Sequence, residues 1–175
     1  SGSDRMLEKM NRKYDSATYL ERIDKIREII PDAAITTDII AGFCSETEED
    51  HQATIELMKN VKFDSAFMFQ YSQRPNTKAA RHFEDDVPLE TKTRRLNEII
   101  ELQSAISLER NKDCIGKIYE VLIEGTSKRD SDQLFGRTLG NKVCVFSAPG
   151  YKAGDYAKVK VESCTSATLI ATLIE

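Results

Sequence analysis

TTDIIAGFCSETEED, residues 36–50, reads as a β-branched strand that passes through a glycine turn into an acidic helix start. A strand feeding a helix is the repeating joint of α/β proteins, whose small ligands gather at the carboxyl ends of parallel strands. One residue is out of keeping. Asp38 sits inside the strand, where a charge costs free energy unless it has a partner or a function.

Upstream, Ser3 is an N-cap candidate for a short helix carrying Met6, Leu7 and Met10 on one face. Asp15 or Ser16 caps the next helix, with Tyr19, Leu20, Ile23, Ile26 and Ile30 as its apolar stripe and Pro31 as its stop. Downstream of Gly42, Ser45 and Thr47 both suit the cap of a helix running to about Val61, with Thr54, Leu57, Met58 and Val61 at helical spacing. SAFMFQYS, beginning at Ser65, is a second strand whose continuous apolar character predicts cover on both faces. RPNTKAARHFEDDVP reads as a loop, and a long helix from Leu89 to Lys112 follows, packing through Leu96, Ile99, Ile100 and Ile106 with Gln103 as a polar exception. Strands alternating with helices predict parallel pairing by right-handed crossovers, the second half of a (β/α) barrel.

From Ile115 the pattern changes. KIYEVLIEG, KVCVF, YAKVKVES and ATLIATLI are short β-rich runs between Gly-, Asp- and Ser-containing turns, which predict a small antiparallel barrel. The expected division is residues 1–112 and 113–175. Net charge is −4 over the 175 residues, yet residues 1–114 sum to −5 and 115–175 to +1, so a polyanion would be met by a local patch in the second segment. The cysteines at 44, 114, 144 and 164 are too far apart for a zinc or iron–sulfur motif and read as free thiols. No apolar run is long enough to cross a membrane, and no secretory leader is seen. The sequence lacks an initial Met and reads as a piece of a longer, cytoplasmic protein.

Five runs, SGSDRMLEKMNRKY, TDIIAGFCSETEED, FDSAFMFQYSQRPNTKAA, RRLNEIIELQ and DQLFGRTLGNKVCVF, together resemble the bacterial radical-SAM methylthiotransferases in unbroken order. The resemblance implies part of a radical-SAM barrel followed by a TRAM domain, a small RNA-binding β-barrel. It implies S-adenosylmethionine and two 4Fe–4S clusters as cofactors of the whole enzyme, tRNA as partner, and a monomer. The cluster cysteines of that family lie in sequence absent here, so this piece is expected to be inactive alone, with no metal site and no assignable catalytic residue. FDSAFMFQYSQRPNTKAA and LFGRTLGNK favour the branch that adds a methylthio group to carbon 2 of isopentenyladenosine beside the anticodon. Enzymes acting on threonylcarbamoyladenosine or on a ribosomal-protein aspartate are the alternatives, as is a non-catalytic RNA-binding adaptor.

Within that resemblance Asp38 faces S-adenosylmethionine, or else is solvated; Gly42 lets the backbone approach the adenosine half. Arg12 grips the carboxylate of the amino-acid half, against a plain helix-end charge as the alternative. Ser3 bonds the cofactor or simply caps its helix. Arg74 lies near substrate or forms a loop salt bridge. Lys128, Arg129, Arg137 and Lys142, set around Phe135, contact RNA phosphates and an unpaired base, or form a charged loop beside a core Phe. His51 and His82 read as isolated surface residues. The chain departs from the family at Cys44-Ser45, where Pro-Gly is common, and at Asn76, where Gly is common.

Overall fold

The computed structural model describes residues 1–175 except Arg129 and Glu175. Helices α1 (Asp4–Lys9) and α2 (Ser16–Ile29) begin at Ser3 and Asp15, whose side chains accept the amides of Met6 and Thr18. Strand β1 (Thr36–Ala41) follows, then α3 (Glu48–Val61), β2 (Ser65–Gln70), α4 (Lys78–His82) and α5 (Leu89–Lys112). The second half contributes β3 (Ile118–Thr126), β4 (Leu134–Thr138), β5 (Val143–Phe146), β6 (Tyr156–Cys164) and β7 (Leu169–Ile174). The chain divides into two compact units, residues 1–103 and 104–175, and the division falls inside α5.

In the first unit β1 and β2 pair in parallel, with Asp38 beside Phe67 and Ile40 beside Phe69. The crossover between them is α3, capped by Thr47 in a reciprocal box with Asp50. Ile39 and Ala41 are buried on one side of β1, and Met58, Val61 and Phe63 are enclosed with them in the unit's interior. The other side is open. Phe67 and Phe69 are 65% and 56% exposed, so the expectation of a strand covered on both faces is not met within this chain. Ile26 and Ile30 are likewise exposed, and Ile23 alone of that α2 stripe is buried.

Two further expectations are corrected. The segment read as a loop after β2 contains α4, nucleated by Thr77, whose side chain caps Ala80. On α5 Ile100 is exposed, whereas Lys92, Arg95, Ile99 and Gln103 form the buried face of this unit's part of the helix. Gln103 donates to the carbonyl of Phe63 at 2.9 Å, which offsets the desolvation of one of its amide groups.

The second unit is a closed barrel in the order β3-β4-β5-β7-β6. Its pairs are antiparallel except β5 with β7, which is parallel. Val121, Val159, Val161 and Leu169 fill it at 0% exposure, each worth roughly 1.5–3 kcal/mol of burial before chain entropy is counted. LFGRT, expected to be part of a charged loop, is strand β4. Gly136 explains why it fits: a Cβ there would lie 2.2 Å from the Leu122 carbonyl oxygen, so only glycine lets β4 approach β3.

Candidate functional site

The first candidate is a cavity of about 70 Å³ beside β1. Four consecutive strand residues, Thr37 to Ile40, line it, so it lies along the edge of β1 rather than on one face. Arg12 and Asp38 both reach it, with Tyr19 and Met58 among the other walls. Among the described residues the Arg12 guanidinium has no hydrogen-bond or ion-pair partner, and its backbone amide bonds the Leu7 carbonyl at 2.8 Å. Tyr19 has a raised pKa, chiefly because burial disfavours the phenolate.

The remaining first-unit candidates are engaged elsewhere. Ser3 is buried and donates to Asp50 at 2.5 Å while capping α1. Gly42 has φ of 71°, its amide bonds Glu46 Oε1 at 2.9 Å, and a Cβ on it would lie 2.4 Å from Lys92 Cγ. The close approach at Gly42 is therefore to Lys92. Arg74 is exposed beyond β2, and its carbonyl accepts from the Thr77 hydroxyl at 2.9 Å. The structure brings Arg12 and Asp38 to one cavity and leaves Ser3, Gly42 and Arg74 outside it.

Sequence reasoning missed the charges that hold the turn after β1. Glu46 and Arg95, both buried, bond at 3.0 Å, and Arg95 also donates to the Glu46 carbonyl. Glu48 accepts from Arg94 at 2.7 Å and Arg95 at 3.3 Å, and Arg94 continues to Glu98 at 2.6 Å. Glu98 meets His51 Nε2 at 2.7 Å. His51 is 1% exposed, so its reading as a surface residue was wrong; His82 is exposed as expected. Glu48, His51 and Glu98 lie close enough to share a cation, but Arg94 already bonds both carboxylates and supplies the positive charge. The signal in the sequence was the spacing of Lys92, Arg95, Ile99 and Gln103, a helical stripe that begins with bases opposite the acids of SETEED.

The second candidate is the outer surface of the barrel. Lys128 is exposed before β4, and Arg129 lies outside the described residues. On β4 the inward positions are Gly136 and Thr138, both buried, which turns Phe135 and Arg137 outward. Phe135 lies over Gly125 of β3, its ring 3.3 Å from where a Cβ would stand. Arg137 donates through Nε to Glu124 at 3.2 Å and through Nη1 to Asn141. Lys142 donates to Asn111 at 2.9 Å. Three of the expected RNA-binding residues thus come from one strand and the turn that follows it; Glu124 partly offsets the charge of Arg137, and Lys142 is hydrogen-bonded to the neutral amide of Asn111 on α5.

The implied cofactors fit this chain unequally. Arg12 and Asp38 offer a cation and an acceptor at one cavity, but about 70 Å³ is well below the roughly 300 Å³ that a nucleoside-sized ligand needs. Cys44, Cys114 and Cys144 are buried, Cys164 is half-buried, and no three cysteines converge among the described residues. They do not fit an iron–sulfur cluster.

A five-stranded Greek-key barrel with basic and aromatic side chains turned outward is the architecture of oligonucleotide-binding domains. Residues 112–174 match the TRAM domain family, so the barrel is a TRAM domain. Over 97% of its length the chain is 56% identical to the tRNA-2-methylthio-N(6)-dimethylallyladenosine synthase of Bacteroides thetaiotaomicron, of which it covers 37%. It is 55% identical, over its whole length, to the synthase of that name from Parabacteroides distasonis, covering 38% of that protein. The same name is carried by a relative from Chlorobium phaeobacteroides, 55% identical over 98% of the chain. The resemblance to methylthiotransferases seen in short motifs therefore extends along the whole chain, which spans less than two-fifths of these relatives' length.

Proposed function

We propose that the chain is part of a radical-SAM tRNA methylthiotransferase that places a methylthio group on carbon 2 of isopentenyladenosine, and works in the cytoplasm. The carrying observation is the identity of 55–56% over nearly all the chain with synthases named for that nucleoside. In this reading residues 1–112 are part of the radical-SAM barrel and 113–175 bind tRNA. S-adenosylmethionine and two 4Fe–4S clusters supply the radical chemistry when bound, on ligands contributed by sequence beyond this chain.

This chain's own residues orient and hold. The cavity that Arg12 and Asp38 share takes no more than one polar end of S-adenosylmethionine, where Arg12 offers a guanidinium to its carboxylate and Asp38 an acceptor to its ammonium. Glu46 and Arg95 keep the turn after β1 in place, so that the strand end is rigid where a ligand would approach. Ser3 holds Asp50 and Gly42 holds Glu46, which fixes the acids around the turn after β1, and Arg74 follows the end of β2 at Gln70. Lys128, Arg129, Phe135, Arg137 and Lys142 are the RNA-facing set, an assignment also favoured by the barrel's architecture.

The test is mass analysis of tRNA nucleosides from cells lacking the gene. Loss of 2-methylthio-isopentenyladenosine, with the unthiolated nucleoside in its place, is expected. Loss of a methylthio group from threonylcarbamoyladenosine instead would transfer the assignment to that branch. An unchanged nucleoside profile leaves the adaptor reading standing.

A further inference from the structure

We propose that Tyr156, Leu122 and Arg137 form a stacking platform for unpaired RNA bases on the outside of the barrel. The proposal rests on the RNA-binding reading above and places its centre beyond the residues that spacing suggested. Leu122 is the register partner of Tyr156 on β6 and of Arg137 on β4, so the three side chains stand in one cross-strand row. Their neighbours Val121, Ile123, Ala157, Gly136 and Thr138 are all buried, which turns the row outward.

The row has the chemistry of a base platform. Tyr156 is 63% exposed, and among the described residues its ring has no aromatic partner and its hydroxyl no hydrogen bond. Leu122 beside it is 37% exposed. Arg137 is held at its edge by Glu124 and Asn141, which fixes the guanidinium and offsets its charge. A guanidinium so tethered contributes through its plane, by stacking, more than as a phosphate clamp.

Charge decides what this face accepts. Lys158 follows Tyr156 by two positions on the outward side of β6 and forms no ion pair among the described residues. It stands about 7 Å along the strand from Tyr156, close to one nucleotide step. Lys160 comes next, with Glu162 at 4.0 Å. Glu120, the register partner of Lys158, keeps the net positive charge small. Stacking therefore carries most of the affinity and phosphate contact little, which suits a single-stranded loop better than a duplex.

The experiment measures binding of two fluorescent RNAs to the chain across a salt series: a hairpin with an unpaired loop, and a blunt duplex of equal length. The parent should prefer the hairpin. Tyr156→Ala should weaken hairpin binding at least ~5-fold and Tyr156→Phe less than ~2-fold, as expected for the loss or retention of one stacked base. Arg137→Lys, which keeps the charge and removes the plane, should also weaken hairpin binding with the salt slope unchanged. Thermal melts check that each variant is folded, and Arg137→Lys serves as the probe if Tyr156→Ala is not. A parent that binds RNA while folded Tyr156→Ala and Arg137→Lys match it overturns the platform and leaves the RNA reading intact. No binding of either RNA by the folded parent removes both. If Tyr156→Ala instead converts a dimer to a monomer in sedimentation with unchanged RNA affinity, the face joins copies of the protein and the proposal fails.

Discussion

Ser45 and Asn76 hold left-handed backbone, with φ of 63° and 67°. An L side chain costs about 1–2 kcal/mol there, and Asn less because its short amide bonds locally. These are the two positions where the resembled family commonly carries glycine, the residue that adopts such backbone without steric cost. Ser45→Gly is expected to stabilise the chain by about 0.5–1 kcal/mol and Asn76→Gly by less, read as shifts of a urea midpoint. Gly42 makes the opposite case. With φ of 71° and Lys92 Cγ 2.4 Å from a built Cβ, Gly42→Ala should destabilise by more than ~1 kcal/mol. An unchanged midpoint would show that Lys92 moves aside without cost.

Between elements, the acids at the start of α3 tie this helix to α1 and α5, and the ties titrate. Arg94 chiefly holds the Glu48 carboxyl down at about 2. Burial alone would raise Asp50, but bonds from Arg5, Ser3 and Thr47 bring it well below the usual carboxylate range. Both folded values lie below the unfolded ones near 4, so the folded state binds fewer protons in acid. Their stabilisation is full well above the unfolded values near 4, declines as pH falls from there toward the folded values, and is gone once pH is below about 2 for Glu48 and lower still for Asp50. Urea unfolding at stepped pH should show this acid slope, flattened in Asp50→Asn. That variant should also lose about 1–3 kcal/mol at neutral pH, because bonds from Ser3 and Thr47 are broken or reversed. A parent-like acid slope in Asp50→Asn would assign the effect to other carboxylates. In the barrel, Gly136→Ala forces β4 away from the Leu122 carbonyl and should lower its melting temperature, with hydrogen exchange locating the loss in residues 104–175.

At the scale of the whole molecule, four thiols sit in unlike surroundings. Cys44 and Cys144 are fully enclosed, and burial pushes the Cys144 thiol up to about 12. Cys164 is half-buried at the end of β6. A thiol reagent at neutral pH should therefore modify Cys164 first in the native protein and all four cysteines only in denaturant. Anaerobic reconstitution of the chain should yield no stoichiometric iron and sulfide, since its cysteines do not converge. A cluster absorption band lost on Cys44→Ser would contradict that.

The sequence by itself determined the helices other than α4 and most strands, because a 3.6-residue or two-residue apolar period and a capping side chain are local properties. Ser3 caps where spacing placed it, Asp15 and Thr47 cap where Ser16 and Ser45 were equally expected, and α5 runs from Leu89 to Lys112 as expected. Arg12 and Asp38 line one cavity, and their role toward a ligand stands as a proposal. Strand β4 was illegible because its Gly, Arg and Thr suit a loop until Gly136 is seen against the Leu122 carbonyl. His51, Lys92 and Arg95 were missed for a related reason. A polar residue is buried only when a partner satisfies it: for His51 and Arg95 these are Glu98 and Glu46, far away in sequence, and for Lys92 it is Asp85 in the loop before α5. Tertiary structure alone decided those pairings, and it alone turned Tyr156, Leu122 and Arg137 into one row, since strand register is a long-range property.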